Sequence, residues 1–248
     1  LISRRFFLVQ TLGTLLFLVT AVLVCEATGL DMIVQDAFYQ FGSQQWLLSK
    51  HNEVLRLLFY TGPKAVFILF AVALLVSLIG LRKKPWVQRY KRGLLTVLIA
   101  SLLTVGVVNL LKAVTNVPCP TNLSHYDGTY PYVTLLHRVP AAEHLKRIRC
   151  FPAGHASGGF ALLSLFFLFR TKRNRMIAFN GAMALGWTLG LYKMLIGDHF
   201  LSHTLVTMGL AWLISVLVAG CVFGLARVVD APEATEGESM TGSEAHYH

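Results

Sequence analysis

Three short stretches of this sequence carry side chains able to bind anions and move protons, and long apolar runs separate them. The first reads Lys112-Ala-Val-Thr-Asn-Val-Pro-Cys119-Pro120. The second runs from Cys150 to Gly159 and contains Pro152-Ala153-Gly154-His155-Ala156. The third runs from Lys193 to His203 and contains Gly197-Asp198-His199. Lysines, histidines and an aspartate gathered this way are expensive to keep beside apolar segments without a task. A Pro-x-Gly-His start to a helix sets free backbone N–H groups and the positive end of the helix dipole beside an imidazole. That is an anion site with a proton donor built in. His199 and His203 are four apart and share one helix face if the last helix begins by Asp198. Lys112, taken alone, is equally well placed to snorkel towards headgroups.

The apolar runs that must position these residues dominate the 248-residue chain, which is 55% hydrophobic and 14% charged with a mean hydropathy of +0.60. A soluble domain carries about 25% charged residues, so a soluble enzyme is excluded and a bilayer is the solvent that suits the composition. Apolar segments run over Phe6 to Val24, Pro63 to Leu81, Leu94 to Leu111, His155 to Phe169, Met176 to Ile196 and Leu201 to Ala226. A hydrocarbon core of about 30 Å needs about 20 helical residues, which all but the fourth supply. The expected fold class is all-α: a polytopic membrane helical bundle with six transmembrane helices over residues 1–229, followed by a disordered acidic tail over 230–248. The first run is expected to be retained as a span, because no clean A-x-A site follows it.

Basic residues orient the segments. The net charge is +10, but the lysines and arginines fall in short clusters between apolar runs, so no nucleic-acid partner is expected. Arg4 and Arg5, the set Arg82, Lys83, Lys84, Arg89, Lys91 and Arg92, and the set Arg170, Lys172, Arg173 and Arg175 mark the cytoplasmic side. Both termini then face the cytoplasm, and all three chemical stretches face outward. The outward middle loop is itself basic through Arg138, Lys146, Arg147 and Arg149, residues suited to lipid phosphate. Asp31 to Trp46, with Phe38, Tyr39 and Phe41 among polar residues, reads as an amphipathic helix at the interface.

The order and spacing of the three stretches resemble the type 2 phosphatidic acid phosphatase (PAP2) superfamily, whose membrane members have six spans and the motifs K-x6-R-P, P-S-G-H and S-R-x5-H-x3-D. Lys112 falls on the first motif's lysine and Cys119-Pro120 on its Arg-Pro. Pro152 to His155 falls on the second, with Ala153 in place of serine. Tyr192-Lys193 falls on Ser-Arg, His199 on the third motif's histidine and His203 on its aspartate. The resemblance implies that His199 attacks phosphorus to give a phosphohistidine, that His155 protonates the leaving oxygen, and that His203 orients His199. It further implies that Lys112, Lys193 and backbone N–H groups near Gly154 and Ala156 hold the non-bridging oxygens, with Arg147 or Arg149 replacing the arginine that Cys119 displaces. Cationic side chains then do the electrostatic work, and neither metal nor cofactor is expected.

Two departures from the motifs have physical weight. Lys193 keeps the charge of an arginine but loses its bidentate fork. A neutral His203 can fix the tautomer of His199 but cannot stabilise its imidazolium as a carboxylate does, and Asp198 points elsewhere on the helix.

By family analogy the partners are membrane lipids, and the substrate is an anionic lipid phosphomonoester or diphosphate: undecaprenyl diphosphate, a lipid A phosphate, phosphatidylglycerol phosphate or phosphatidate. The location would be a bacterial inner membrane with the site towards the periplasm. Alternatives are a lipid-phosphate phosphotransferase, a catalytically inactive phospholipid-binding or transport protein, and a metal site on His155, His199 and His203. The oligomeric state stays open. Cys119 and Cys150 lie in the one long polar stretch, and if it faces an oxidising compartment they are expected to pair; two reduced cysteines are the alternative. Cys25 and Cys221, within apolar runs, read as small buried hydrophobes.

Overall fold

The computed structural model describes residues 3–136 and 146–229, so that Arg138 and the acidic tail lie outside the described residues. Each of the six apolar segments forms a helix. Helix α1 (Arg4–Thr28) opens on Ser3, whose Oγ accepts the N–H of Phe6, and closes at Gly29 with φ of +63°. A short α2 (Leu30–Asp36) follows, then an antiparallel hairpin of β1 (Tyr39–Gln40) and β2 (Gln45–Trp46). Helix α3 (Glu53–Arg56) passes through a π-turn, Leu57–Thr61, into α4 (Gly62–Ile79). The remaining long helices are α5 (Pro85–Val114), α6 (Gly154–Ala161, continued as a 3-10 stretch over Leu162–Phe167), α7 (Lys172–Leu195) and α8 (Leu201–Val229).

Four helices among the described residues are long and apolar enough to cross a membrane: Arg4–Thr28, Glu53–Ile79, Pro85–Val114 and Leu201–Gly224. The fourth apolar segment is short, as the sequence predicts, although its 3-10 half rises about 2.0 Å per residue and so gains some length. Outer faces are apolar: Leu12, Leu16 and Leu69 are 66%, 69% and 68% exposed. In water such a surface would drive aggregation, whereas against lipid tails it costs nothing.

The interior is built from small residues. Helix α8 packs on α1, α5 and α6, and α6 packs on α7. A Cβ on Gly159 would stand 2.7 Å from the Cα of Gly186, so α6 and α7 touch backbone to backbone. Buried hydroxyls return to their own helices: Thr96 to the carbonyl of Arg92 at 2.9 Å, Thr207 to that of His203 at 2.8 Å and Ser215 to that of Ala211 at 2.7 Å. These three hydroxyls are thereby satisfied without water, whereas the buried hydroxyls of Ser101, Thr104 and Thr204 have no hydrogen-bond partner among the described residues.

The expected amphipathic helix over Asp31 to Trp46 is not formed as such. It stops at Asp36, and the aromatic half folds into the hairpin, where Tyr39 and Trp46 pack on Tyr126 with ring centroids 5.1 and 5.0 Å away. The helical half is a clasp. Asp31 Oδ1 accepts the N–H of Ser202 at 2.8 Å, its other oxygen bonds the Ser202 hydroxyl, and Gln35 Nε2 donates to the carbonyl of Met194 at 2.8 Å. Asp31 therefore caps the first turn of α8 from another helix, satisfying an N–H that α8 itself leaves unpaired. Burial raises the Asp31 carboxyl above its usual range, and the Ser202 hydrogen bonds oppose that rise. Replacement by Ala should cost about 1–3 kcal/mol, read as a lower Tm in detergent. Asn, which keeps one acceptor oxygen and avoids a buried charge, should cost less; equal losses would assign the effect to packing rather than capping.

Candidate functional site

The ends of α5 and α7 and the starts of α6 and α8 meet at one end of the bundle, and the three chemical stretches meet there with them. Lys112 occupies the last turn of α5, whose 30 residues extend about 45 Å, longer than a hydrocarbon core of about 30 Å. Just beyond it, the Thr115 hydroxyl bonds the carbonyls of Leu111 at 2.8 Å and Phe151 at 2.5 Å. The Phe151–Pro152 peptide is cis. The N–H of Ala153 donates to the carbonyl of His203 at 3.2 Å, and the Thr207 hydroxyl reaches the carbonyl of Ala153 at 3.3 Å. The chain leading into α6 is thus tied to α5 on one side and α8 on the other.

At the start of α6 the N-cap is Ala153, which supplies no side-chain cap, so the first-turn N–H groups are left for a ligand. Gly154 is needed for access: a Cβ there would lie 3.3 Å from both Cδ and Nζ of Lys112. The lysine therefore lies across the open helix end. Among the described residues no carboxylate forms an ion pair with Lys112; the ion pairs are Lys193 with Asp198 and His125 with Asp36.

Lys193, in the last turn of α7, is 9% exposed, and its Nζ lies 2.7 Å from Asp198 Oδ2. Its ammonium also sits 5.0 Å from the centroid of the Tyr60 ring. Tyr60 in turn stacks on His155, with centroids 4.3 Å apart and planes 8° apart. Tyr60 stands on the π-turn, where Gly62 donates to Leu57 rather than one residue nearer. Pro63 has no N–H for the carbonyl of Phe59, which removes the bond that would keep the helix regular there. Such turns recur at functional sites.

His199 and His203 are 5% and 2% exposed, and their Nδ1 atoms lie 3.4 Å apart. Helix α8 begins at Leu201, as the last apolar segment predicts, so the start by Asp198 that a shared helix face requires is not met. Gly197, at φ of +74°, turns the chain, and the N–H groups of Asp198 and His199 return to the carbonyl of Lys193 at 2.8 and 3.3 Å, so these residues close α7 instead. Trp46 covers this turn so closely that a Cβ on Gly197 would stand 2.3 Å from its ring. The histidines meet although they do not share a helix.

Their tautomers are coupled. Of the two Nδ1 atoms one donates and the other accepts, and the arrangement with His199 as donor is the one that leaves a lone pair on its Nε2. His203 then carries its proton on Nε2 and accepts at Nδ1. Burial, with His203, Lys112 and Lys193 nearby, pushes the His199 imidazolium down, so the ring is neutral. A neutral imidazole with one free lone pair beside two cations suits attack on an anionic phosphorus centre.

The structure joins Cys119 to Cys150, with Cα atoms 5.2 Å apart. It does not bring the two candidate replacement cations into the cluster: Arg147 donates to the carbonyl of Val114 at 2.9 Å, and Arg149 is exposed. The charges acting at His155 come from Lys193, Asp198, Lys112 and Lys64. Asp198 neutralises Lys193 and does not orient His199. The alternative metal set changes too, because the groups that converge are Cys150, His199 and His203, without His155. Sequence reasoning missed Tyr60, for which the Gly62-Pro63 break in an apolar run was the available signal. It also missed the Asp31 clasp, which has no local signal.

The PAP2 superfamily profile matches residues 93–227, more than half of the chain and every helix end that builds this cluster. The chain belongs to the PAP2 superfamily. Membership supports a phosphatase-type activity on a phosphoric ester. Among curated proteins and among solved structures, none matches the chain. Within the superfamily's motif frame, the disulfide takes the place of the arginine in the first motif.

Closing a loop across a sequence separation of 31 contributes about 3 to 4 kcal/mol by chain-entropy reasoning. Cys119→Ser should lose that amount in thermal or denaturant unfolding, and unreduced digests of the wild type should yield a linked Cys119–Cys150 peptide pair. Free alkylated thiols at both positions would contradict the bridge.

Proposed function

We propose that this chain is an integral membrane lipid phosphatase that hydrolyses a lipid phosphomonoester or diphosphate through a phosphohistidine on His199. One observation carries the reading: Lys112, without a carboxylate partner among the described residues, lies across the open N-terminus of α6 beside a neutral His199 whose Nε2 lone pair is free. A half-buried ammonium and uncapped helix N–H groups both call for an anion, and the phosphoryl group answers both. His199 Nε2 attacks phosphorus while His155 gives a proton to the leaving oxygen. Lys112, Lys193 and the N–H groups near Gly154 and Ala156 take the charge on the non-bridging oxygens. Water activated by His155 then cleaves the phosphorus–nitrogen bond. Tyr60, stacked on His155, holds that ring in register.

The six helices are read as six spans, with both termini cytoplasmic and the site outward, in a bacterial inner membrane. The basic links at Arg82 to Arg92 and Arg170 to Arg175 support that orientation. A site at headgroup depth reached from lipid-facing helices suits undecaprenyl diphosphate, a lipid A phosphate, phosphatidylglycerol phosphate or phosphatidate. A panel of these lipids in detergent, read by release of inorganic phosphate with and without chelator, tests the reading. Release from none of them would reject it, and chelator-sensitive release would reject the histidine mechanism.

His199→Ala should remain folded and lose nearly all release, and acid-quenched wild type should yield an acid-labile phosphohistidine. Lys112→Ala and Lys193→Ala should each lower kcat about a hundredfold, since the contact strengthens as charge moves onto the oxygens; an effect confined to KM would make them docking residues. The pH profile offers a further check. His199 is held below the usual histidine range, so the acid limb of kcat/KM should lie below that range, with activity lost only as His199 protonates. His203→Asp places a carboxylate beside it, which stabilises the imidazolium, and should move that limb upward by about 1–3 pH units. An unmoved limb would show that His203 does not contact the titrating group.

A further inference from the structure

The Cys119–Cys150 bridge lies against the histidine pair, a juxtaposition that phosphoryl transfer does not require. Cys150 Sγ is 3.6 Å from His199 Nδ1, and His199 Nδ1 is 3.4 Å from His203 Nδ1. The ligand-type atoms of Cys150, His199 and His203 all lie within 4.8 Å of one another. Tetrahedral zinc, with Zn–S of about 2.3 Å and Zn–N of about 2.0 to 2.1 Å, holds sulfur and nitrogen about 3.6 Å apart and two nitrogens about 3.4 Å apart. Two of the three donor pairs already stand at those separations, and the third, Cys150 with His203, lies within 4.8 Å. Only the oxidation state of the sulfur prevents a ligand set, and Cys119, the bridge partner, is the natural fourth corner.

We propose that reduction of this disulfide creates a two-cysteine, two-histidine zinc site of Cys119, Cys150, His199 and His203, which switches the protein off. The reductant is a dithiol. One of its thiolates attacks Cys119 Sγ, the partly exposed sulfur; the S–S bond breaks and its electron pair leaves on Cys150 as a thiolate. The second thiolate of the reductant attacks the mixed disulfide, releases Cys119 as a thiolate and departs as a cyclic disulfide. A zinc ion then accepts electron pairs from both thiolates and from Nδ1 of each histidine. The proton on His199 Nδ1 moves to Nε2 through solvent. That transfer removes the lone pair proposed to attack phosphorus. Loss of activity rests on the phosphatase reading; the metal site does not.

The test uses the full chain in detergent, washed with chelator, kept oxidised or reduced by a phosphine, then given zinc and desalted. The reduced protein should hold one more zinc per chain than the oxidised protein. Any zinc on the tail histidines His246 and His248 is common to both and cancels. Cobalt in place of zinc should give tetrahedral ligand-field bands and thiolate charge-transfer absorption in the reduced protein alone. Phosphate release should fall to background with zinc and return with chelator. Cys150→Ser should lose the extra zinc. Cys119→Ser, which frees Cys150 permanently, should bind zinc through three protein ligands with no reductant.

No added zinc in a reduced, folded chain, or an increment that survives Cys150→Ser, would overturn the site. So would a reduced chain that stays unfolded with zinc present. If the oxidised protein releases phosphate from no lipid, the phosphatase reading fails while the zinc count still decides the site.

Discussion

Contact between two buried histidines is the constraint on which one end of this bundle depends. His199 and His203 approach to 3.4 Å only because each is fixed from a different direction. His203 is on the first turn of α8, which Asp31 caps from α2 and whose carbonyl is bound by Ala153. His199 is on the turn that closes α7, held by the Lys193 carbonyl and roofed by Trp46. The clasp, the hairpin and the bridge to Cys150 are thus parts of one device. Their common effect is to set a tautomer, and a site whose groups are held before substrate arrives loses less in reaching the transition state.

The membrane explains why the device is at an end and not in the middle. Between the ends, hydroxyls such as those of Thr96 and Ser215 bond their own helix, and Gln10 accepts the indole N–H of Trp212. Charged groups are kept where helices stop: Lys112 at the end of α5 and Lys193 at the end of α7. Open helix termini are also found there, and they supply anion-binding N–H groups at no extra cost in buried charge. Helix α6 presents its first turn to Lys112, whose side chain lies against Gly154.

Much of this was legible in the chain. Hydropathy located every long helix, and the three motifs located Lys112, His155, Lys193 and His199, because burial of apolar runs and motif spacing are both local properties. The disulfide was legible from the placement of two cysteines in one polar stretch. What was not legible depended on contacts between distant segments. Asp31 read as part of an interfacial helix, since nothing near it reveals that Ser202 lies opposite. The start of α8 at Leu201 was legible, but a shared helix face for His199 and His203 needed a start by Asp198, and the left-handed turn at Gly197 instead recruits Asp198 and His199 to the preceding helix. Arg147 and Arg149 were reasonable substitutes for a missing cation by proximity in sequence, yet Arg147 is spent on the carbonyl end of α5.

The two largest departures from the family motifs offset each other electrostatically. Cys119 removes a positive charge from the first motif, and His203 removes a negative charge from the third, so the motif residues keep the same net charge. Either change alone would be costly. Losing only the cation would leave an additional buried carboxylate, and losing only the carboxylate would leave three cations with Asp198, paired to Lys193, as their one acid. The changes are also joined in space, because the sulfur bonded to Cys119 touches the ring that His203 orients. The replaced arginine could bind phosphate directly; its successor cannot, and instead fixes the chain between Lys112 and His155. The bridge thus ties together the chain between Lys112 and His155, and Lys112 and Lys193 are the cations that the motif positions retain.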